Sequence, residues 1–285
     1  MDYDKPAPAC GTAPRKLGSP IVDIVSYLID VNRALGRELS EFQPGGVVTH
    51  VYNPLRYAFA PWQQYLERYA QAPKRAVFSG MNPGPWGMVQ TGIPFGEVEI
   101  VRDWLGMPAN EGRPPREHSK RPVQGFACRR SEVSGSRLWG LFRQRFATPE
   151  RFFTDHLVLN YCPLAFMAES GRNVTPDKLP ADARHRLFAA CNRALARQLA
   201  AVGPEFAVGI GIFAETRLRE LTDAAIWDAA CAAVAAAGLD PAPRPPRIVK
   251  LLHPSPASPA ANRGWAEAAT AQLQAAGVWT VRDDR

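Results

Sequence analysis

The sequence is poor in several things that would assign it elsewhere. No stretch of about 18 uninterrupted apolar residues occurs in its 285 positions, so no membrane-spanning helix is expected. The first twenty residues, MDYDKPAPACGTAPRKLGSP, hold no apolar run of the kind a secretion signal needs. The five cysteines are scattered without a CxxC pair, which argues against a disulfide framework and against a zinc ribbon. A reducing, intracellular setting follows as the expectation: cytoplasm or nucleoid in a bacterium, nucleus in a eukaryote. Acidic residues are in deficit, 27 against 34 Lys and Arg, and the net charge of +7 favours a polyanionic partner. There is no internal repeat.

What remains is 46% hydrophobic, enough for a sizeable core. Residues 1–18, rich in Pro, Ala and Gly, read as a flexible tail, and residues 19–285 as one domain. Ser19 followed by Pro20 signals a helix start, and Ile24, Leu28 and Leu35 share one face of a helix expected to pack on a sheet. Apolar runs at 76–79, 157–159, 206–212 and 248–252 read as four strands. Helical patterns lie near 98–105, 136–146, 180–202, 214–221 and 262–275. Strand alternating with helix predicts an α/β fold with a central four-stranded parallel sheet flanked by helices. Residues 107–134 read as an exposed basic loop, and 222–247 as a variable helix and connector.

Ligands of open parallel sheets bind beyond the carboxyl ends of the strands, so the residues after each run are the ones to inspect. The first strand leads into GMNPGPWGM, dense in Gly and Pro; this is either a tight structural turn or a loop that lets a ligand approach the main chain. The second leads into Asn160-Tyr161-Cys162-Pro163. The Asn160 amide is either a turn cap before proline or a paired donor and acceptor matching the N3–H and O4 edge of uracil. The last leads into His253-Pro254-Ser255-Pro256, a histidine held by a rigid turn, structural or catalytic. Val208 to Ala214 carries a partial G-x-G-x-x-A fingerprint, which leaves a dinucleotide enzyme as a competing reading.

Together with YNPLRYA, TGIPFGEV, VRDWLG, SEVSGSRLWG, SGRNVTP and HPSPASPAANRGW, these segments resemble the single-strand-selective monofunctional family of the uracil-DNA glycosylase superfamily, from about residue 51 to 277. The resemblance implies a three-layer glycosylase fold and a DNA repair enzyme that flips out and excises uracil, and C5-oxidised uracils such as 5-hydroxymethyluracil, from single- and double-stranded DNA. The alternatives are a relative acting on deaminated purines and a non-catalytic damage binder.

It further implies that Asn82 orients the attacking water and that His253 stabilises the leaving base. Phe95 stacks on that base, Asn160 reads its edge, and Met81, Gly84 and Met88 complete the pocket. Ser134, Ser136, Arg137, Lys120 and Arg121 are candidates for DNA backbone contact. The segment Pro256, Ala257, Ser258, Asn262 and Arg263 is the wedge that enters the duplex. Vertebrate members carry Arg where this chain has Ala257, which implies weaker binding of duplex product here. No metal or organic cofactor, no lyase activity and a monomer acting on DNA are expected.

Overall fold

The computed structural model describes residues 23–71 and 73–280. The expected tail and the Ser19-Pro20 helix start lie outside the described residues. The first described helix, α1 (Ile24–Glu38), is capped by Asp23, whose carboxylate accepts from the Val25 and Ser26 amides. It is followed by β1 (Val48–Tyr52), α2 (Pro54–Tyr57), α3 (Phe59–Tyr69), β2 (Ala76–Gly80) and α4 (Met88–Thr91). A π-helical turn, Ile100–Trp104, precedes α5 (Val133–Phe146), α6 (Pro149–Asp155), β3 (His156–Asn160), β4 (Ala165–Ala168) and β5 (Asn173–Val174). The chain continues through α7 (Ala181–Val202), β6 (Phe206–Ile210), α8 (Ile212–Leu221), α9 (Ala224–Ala236), β7 (Arg247–Leu251), α10 (Pro259–Asn262) and α11 (Trp265–Ala275).

The four expected strands form one parallel sheet in the order β3-β2-β6-β7. Their apolar runs are explained by burial: every residue of β2 and β6 is buried, while the edge strand β7 is mostly half-exposed. Two groups of helices flank the sheet, α1, α7 and α9 in one and α5, α6 and α11 in the other. Phe78, Trp139, Phe142, Phe152 and Trp279 stack into an aromatic core beneath α5 and α6.

The structure corrects several expectations. A second sheet, β1-β4-β5, is antiparallel and absent from the four-strand reading. Helix α1 makes its main contacts with α7, α2 and α3. The third expected strand stops at Ile210 because Gly211, at φ +88°, turns the chain into α8. The helix expected from residue 262 is two helices broken at Gly264, φ +139°. Residues 107–134 are irregular but pinned: Met107, Asn110, His118, Val123 and Cys128 are buried, and the Tyr52 hydroxyl bridges the His118 amide and the Arg121 carbonyl. Basic side chains such as Lys120, Arg129 and Arg130 project from an anchored backbone.

Candidate active site

The site is built where β2 and β3 end side by side. Gly80 stands opposite Asn160 in register, and the pairing continues past the strands as Tyr161 N–H donates to Gly80 O and Cys162 N–H to Met81 O, both at 2.9 Å. These bonds lock the loop carrying Asn82 to the loop carrying Asn160. Gly80 permits a close convergence: a Cβ there would lie 2.4 Å from Phe95 Cε2 and 2.6 Å from Asn160 Oδ1. No other residue leaves room for both side chains.

Phe95 adopts φ +54°, a left-handed conformation that costs a non-glycine residue about 1–2 kcal/mol. Its turn is held from several sides. Trp139 Nε1 donates to Pro94 O at 3.1 Å, Thr91 Oγ1 donates to Gly96 O at 2.9 Å, and Gly135 lets the Phe95 carbonyl approach where a Cβ would stand 2.1 Å away. Helix α5 thereby fixes the ring at the cavity.

The amides are oriented by what they already bond. Asn82 Nδ2 donates to Leu164 O at 3.0 Å, which leaves its Oδ1 as the acceptor available to the cavity. Asn160 Nδ2 donates to Met88 Sδ at 3.2 Å, a weak bond that leaves its second N–H free.

His253 follows the edge strand β7, whose exit is pinned by Trp265 Nε1 donating to Leu252 O at 2.7 Å and by Leu252 N–H donating to Gln272 Oε1 at 2.8 Å. Adjacent strands lie about 4.8 Å apart, so β7 is about 10 Å from β2. The imidazole reaches back across β6 because Gly211 has no side chain: a Cβ there would sit 3.2 Å from both Cβ and Cδ2 of His253. Gly209 likewise admits α8, since its Cβ would be 2.4 Å from Glu215 N. The G-x-G pattern that suggested a dinucleotide site is accounted for by these approaches.

The Ser255 amide donates to His253 Nδ1 at 3.1 Å, so the proton of the neutral ring resides on Nε2 and that nitrogen is its donor. Burial pushes the imidazole below its ordinary value and favours the neutral form.

Met81, Asn82, Gly84, Met88, Phe95, Asn160 and His253 all line one cavity of about 380 Å³. Every pocket residue expected from the sequence is therefore brought together. A larger groove of about 980 Å³ runs along α7, α8 and α9, lined by residues such as Phe188 and Ile226, and contains none of these groups. Ser134, expected to meet the DNA backbone, is buried and also lines the cavity.

The remaining expected contacts form the rim. Arg137 donates to Pro254 O at 3.1 Å and to Asn262 Oδ1 at 2.9 Å, and Asn262 Nδ2 donates to Pro256 O at 2.8 Å. Arg137 is thus a clamp on the 254–263 segment. Ser258 Oγ caps α10, while Pro256, Ala257, Asn262 and Arg263 are exposed. Ser136 and Ser131 share a hydroxyl bond at 2.9 Å, Lys120 is exposed, and the guanidinium of Arg121 lies 4.9 Å from the Trp86 ring centre, as does that of Arg130.

Sequence reasoning missed Glu132, Asn173, Thr175 and Ser255 as cavity-lining residues. It also missed the buried Gln90, whose Nε2 donates to Pro85 O and Pro122 O and whose Oε1 accepts from Gln124 N–H, stitching the 84–88 loop to the 107–134 segment. Glu132 lies within SEVSG, and Asn173 and Thr175 within SGRNVTP, so the resembling blocks marked the segments but not the roles.

The model of the uracil DNA glycosylase superfamily matches residues 67–274. The single-strand selective monofunctional uracil-DNA glycosylase of Rattus norvegicus is 47% identical over 88% of this chain and 84% of its own. The Bos taurus counterpart is 47% identical over 86% of this chain and 84% of its own. The crystal structure of wild-type Pedobacter heparinus SMUG2, at 16% identity, superposes with a TM-score of 0.53 over 87% of this chain and 98% of that one, a likeness of fold.

Proposed function

This chain belongs to the uracil DNA glycosylase superfamily and, within it, to the single-strand selective monofunctional uracil-DNA glycosylases, and from that premise we propose that the cavity at the strand exits receives an everted uracil. The chain is a DNA repair hydrolase of N-glycosyl bonds acting on uracil in DNA. The proposal extends the substrates to C5-oxidised uracils such as 5-hydroxymethyluracil, in both single and double strands, and assigns roles to residues.

The observation that carries it is the convergence of one imidazole donor, two oriented amides and one aromatic face on a single cavity. Cleavage of the C1′–N1 bond leaves an oxocarbenium-like sugar and a uracil anion whose charge reaches O2. His253 Nε2–H donates to O2 as that charge grows, and a well-placed donor of this kind contributes about 3–4 kcal/mol. It does so as a neutral imidazole, because protonating Nδ1 would cost the bond from Ser255.

Asn82 presents Oδ1 to a water below C1′. An amide is a poor base, so the water attacks late, after the bond to the base has largely broken. Asn160 accepts from N3–H through Oδ1 and donates to O4 through its free N–H; cytosine offers the reverse pattern and would leave these buried groups unpaired. Phe95 stacks on the ring. Eversion costs a few kcal/mol, offset by these contacts and by the 256–263 wedge filling the vacated stack. The exposed Lys120 and Arg263 supply phosphate contacts.

Single-turnover assays on labelled oligonucleotides, with uracil, 5-hydroxymethyluracil, hypoxanthine or xanthine in single- and double-stranded form, test the reading. Release of uracil and 5-hydroxymethyluracil is expected in both contexts. Failure to release 5-hydroxymethyluracil, or release of purines alone, would overturn the assigned range.

A further inference from the structure

Among the described residues Glu132 is the only acid lining the cavity, and no step above uses it. It occupies the N-cap position of α5 yet makes no capping bond with its side chain. The side chain turns instead across the 84–88 loop. A Cβ on Gly84 would lie 2.2 Å from Glu132 Oε2, and one on Gly87 would lie 3.0 Å from its Cγ, so these two glycines exist where the glutamate covers them. Burial pushes the carboxyl up, and a hydrogen bond from the Trp86 backbone opposes that shift. Among the described residues no cation forms an ion pair with it.

The position of Glu132 relative to an everted base follows from groups already placed. With His253 at O2 and Asn160 at N3 and O4, the next ring atom is C5. Asn160 touches Met88 through its bond to Sδ, so the wall beyond O4 is Met88 and then Gly87 and Gly84, against which Glu132 lies.

We propose that Glu132 is a specificity-determining residue that faces the C5 substituent, admitting uncharged groups that donate a hydrogen bond and repelling an anionic one. The inference rests on the uracil-type reading of the site. A carboxylate held in a partly desolvated wall interacts strongly with a second negative charge a few ångströms away. A hydroxyl or amide on C5 gains an acceptor there instead.

The test is equilibrium binding of the full-length protein to single-stranded oligonucleotides carrying one hydrolysis-resistant 2′-fluoro nucleotide, whose base is uracil, thymine, 5-carbamoyluracil or 5-carboxyuracil. Carbamoyl and carboxylate have nearly the same shape, so a wall that only sets shape treats them alike. The wild type is expected to favour carbamoyl over carboxylate by at least about tenfold. Glu132→Gln, which can donate to a carboxylate, is expected to bring that ratio within about threefold. Equal wild-type affinities, or a ratio that Glu132→Gln leaves unchanged, would overturn the role of Glu132 while uracil is still preferred over thymine. Loss of the uracil preference in the wild type would overturn the reading of the site and this role together. If Glu132→Gln fails to fold, the wild-type ratio alone decides.

Discussion

Where β2 and β3 end, the floor of the cavity is assembled from contacts without slack. Phe95 and Asn160 meet over a glycine that could bear no side chain, Asn82 is tied to Leu164, and His253 leans over a second glycine. The 254–263 rim is the opposite. Its leading residues Pro256 and Ala257 are exposed, and its shape depends on a few hydrogen bonds from Arg137, Asn262 and Ser258. The floor must hold groups to a fraction of an ångström around a transition state, so its geometry is set before the base arrives. Under the proposed function the rim meets single strands and duplexes alike, and a lightly tethered loop allows that.

The comparison breaks most directly if the floor tolerates change. His253→Leu should lower the single-turnover rate of uracil release by about 10²–10³-fold while DNA affinity stays within a few-fold, the outcome for a donor that acts on charge developing in the transition state. A drop in affinity that accounted for the whole loss would place His253 in binding instead. Gly211→Ala should cost up to about tenfold, because a side chain at φ +88° is strained and its Cβ, 3.2 Å from Cβ and Cδ2 of His253, would shift the imidazole by a few tenths of an ångström. A rate within threefold of wild type, with melting temperature unchanged, would show that His253 does not depend on that approach.

The protonation state of the floor provides a further check. Burial lowers the folded-state pKa of His253 below 6.5, so the neutral, active ring is present above that lowered value and is lost as pH falls through it. The stability contributed by the Ser255 bond follows the same sign: present above the unfolded value, lost on acidification. Single-turnover rates should be level from neutral to alkaline pH, with an acid limb centred below pH 6.5. Because Glu132 is a second titrating group in the cavity, the limb should persist in Glu132→Gln; its disappearance would assign it to the carboxyl.

How much of this was legible beforehand follows the same division. Strands β2, β3, β6 and β7 announced themselves because a strand buried on both faces reads as an unbroken apolar run, and the rule that ligands lie at the carboxyl ends pointed to Asn82, Asn160 and His253. Strand β1, VTHVY, is as long as these but half-exposed and interrupted by Thr49 and His50, so it gives no unbroken apolar run, while β4 and β5, of four and two residues, are too short to give a period. Gly209 and Gly211 were visible but ambiguous, since a glycine demanded by a neighbouring side chain has the same letter as one demanded by a phosphate. Glu132, Asn173 and Thr175 reach the cavity from segments that are not exits of the parallel sheet, and nothing local reveals that arrival. Arg137 was a phosphate candidate by charge, and only the fold shows its guanidinium engaged with Pro254 and Asn262.

That engagement leads to the smaller effects at the rim. Arg137→Ala removes two hydrogen bonds from a charged donor, at about 1.5–3 kcal/mol each at most, from a loop that can partly relax. Affinity for an abasic duplex should fall by about tenfold, with a lesser effect on single-stranded uracil release. Equal losses in both contexts would mean that Arg137 supports the floor as well.

Ala257→Arg should have the mildest consequence. Position 257 is exposed at the tip of the wedge segment, and its amide donates to Ser255 Oγ at 3.1 Å, a bond independent of the side chain. An arginine there meets no buried neighbour and adds a cation where the duplex backbone approaches. Abasic-duplex affinity should rise by about three- to tenfold at moderate salt, and the dependence of log affinity on log salt should steepen by about one unit, as for one added phosphate contact. A gain without a change in salt slope would instead point to a side chain filling the vacated stack, and no gain at all would mean that the tip of this loop does not reach the duplex.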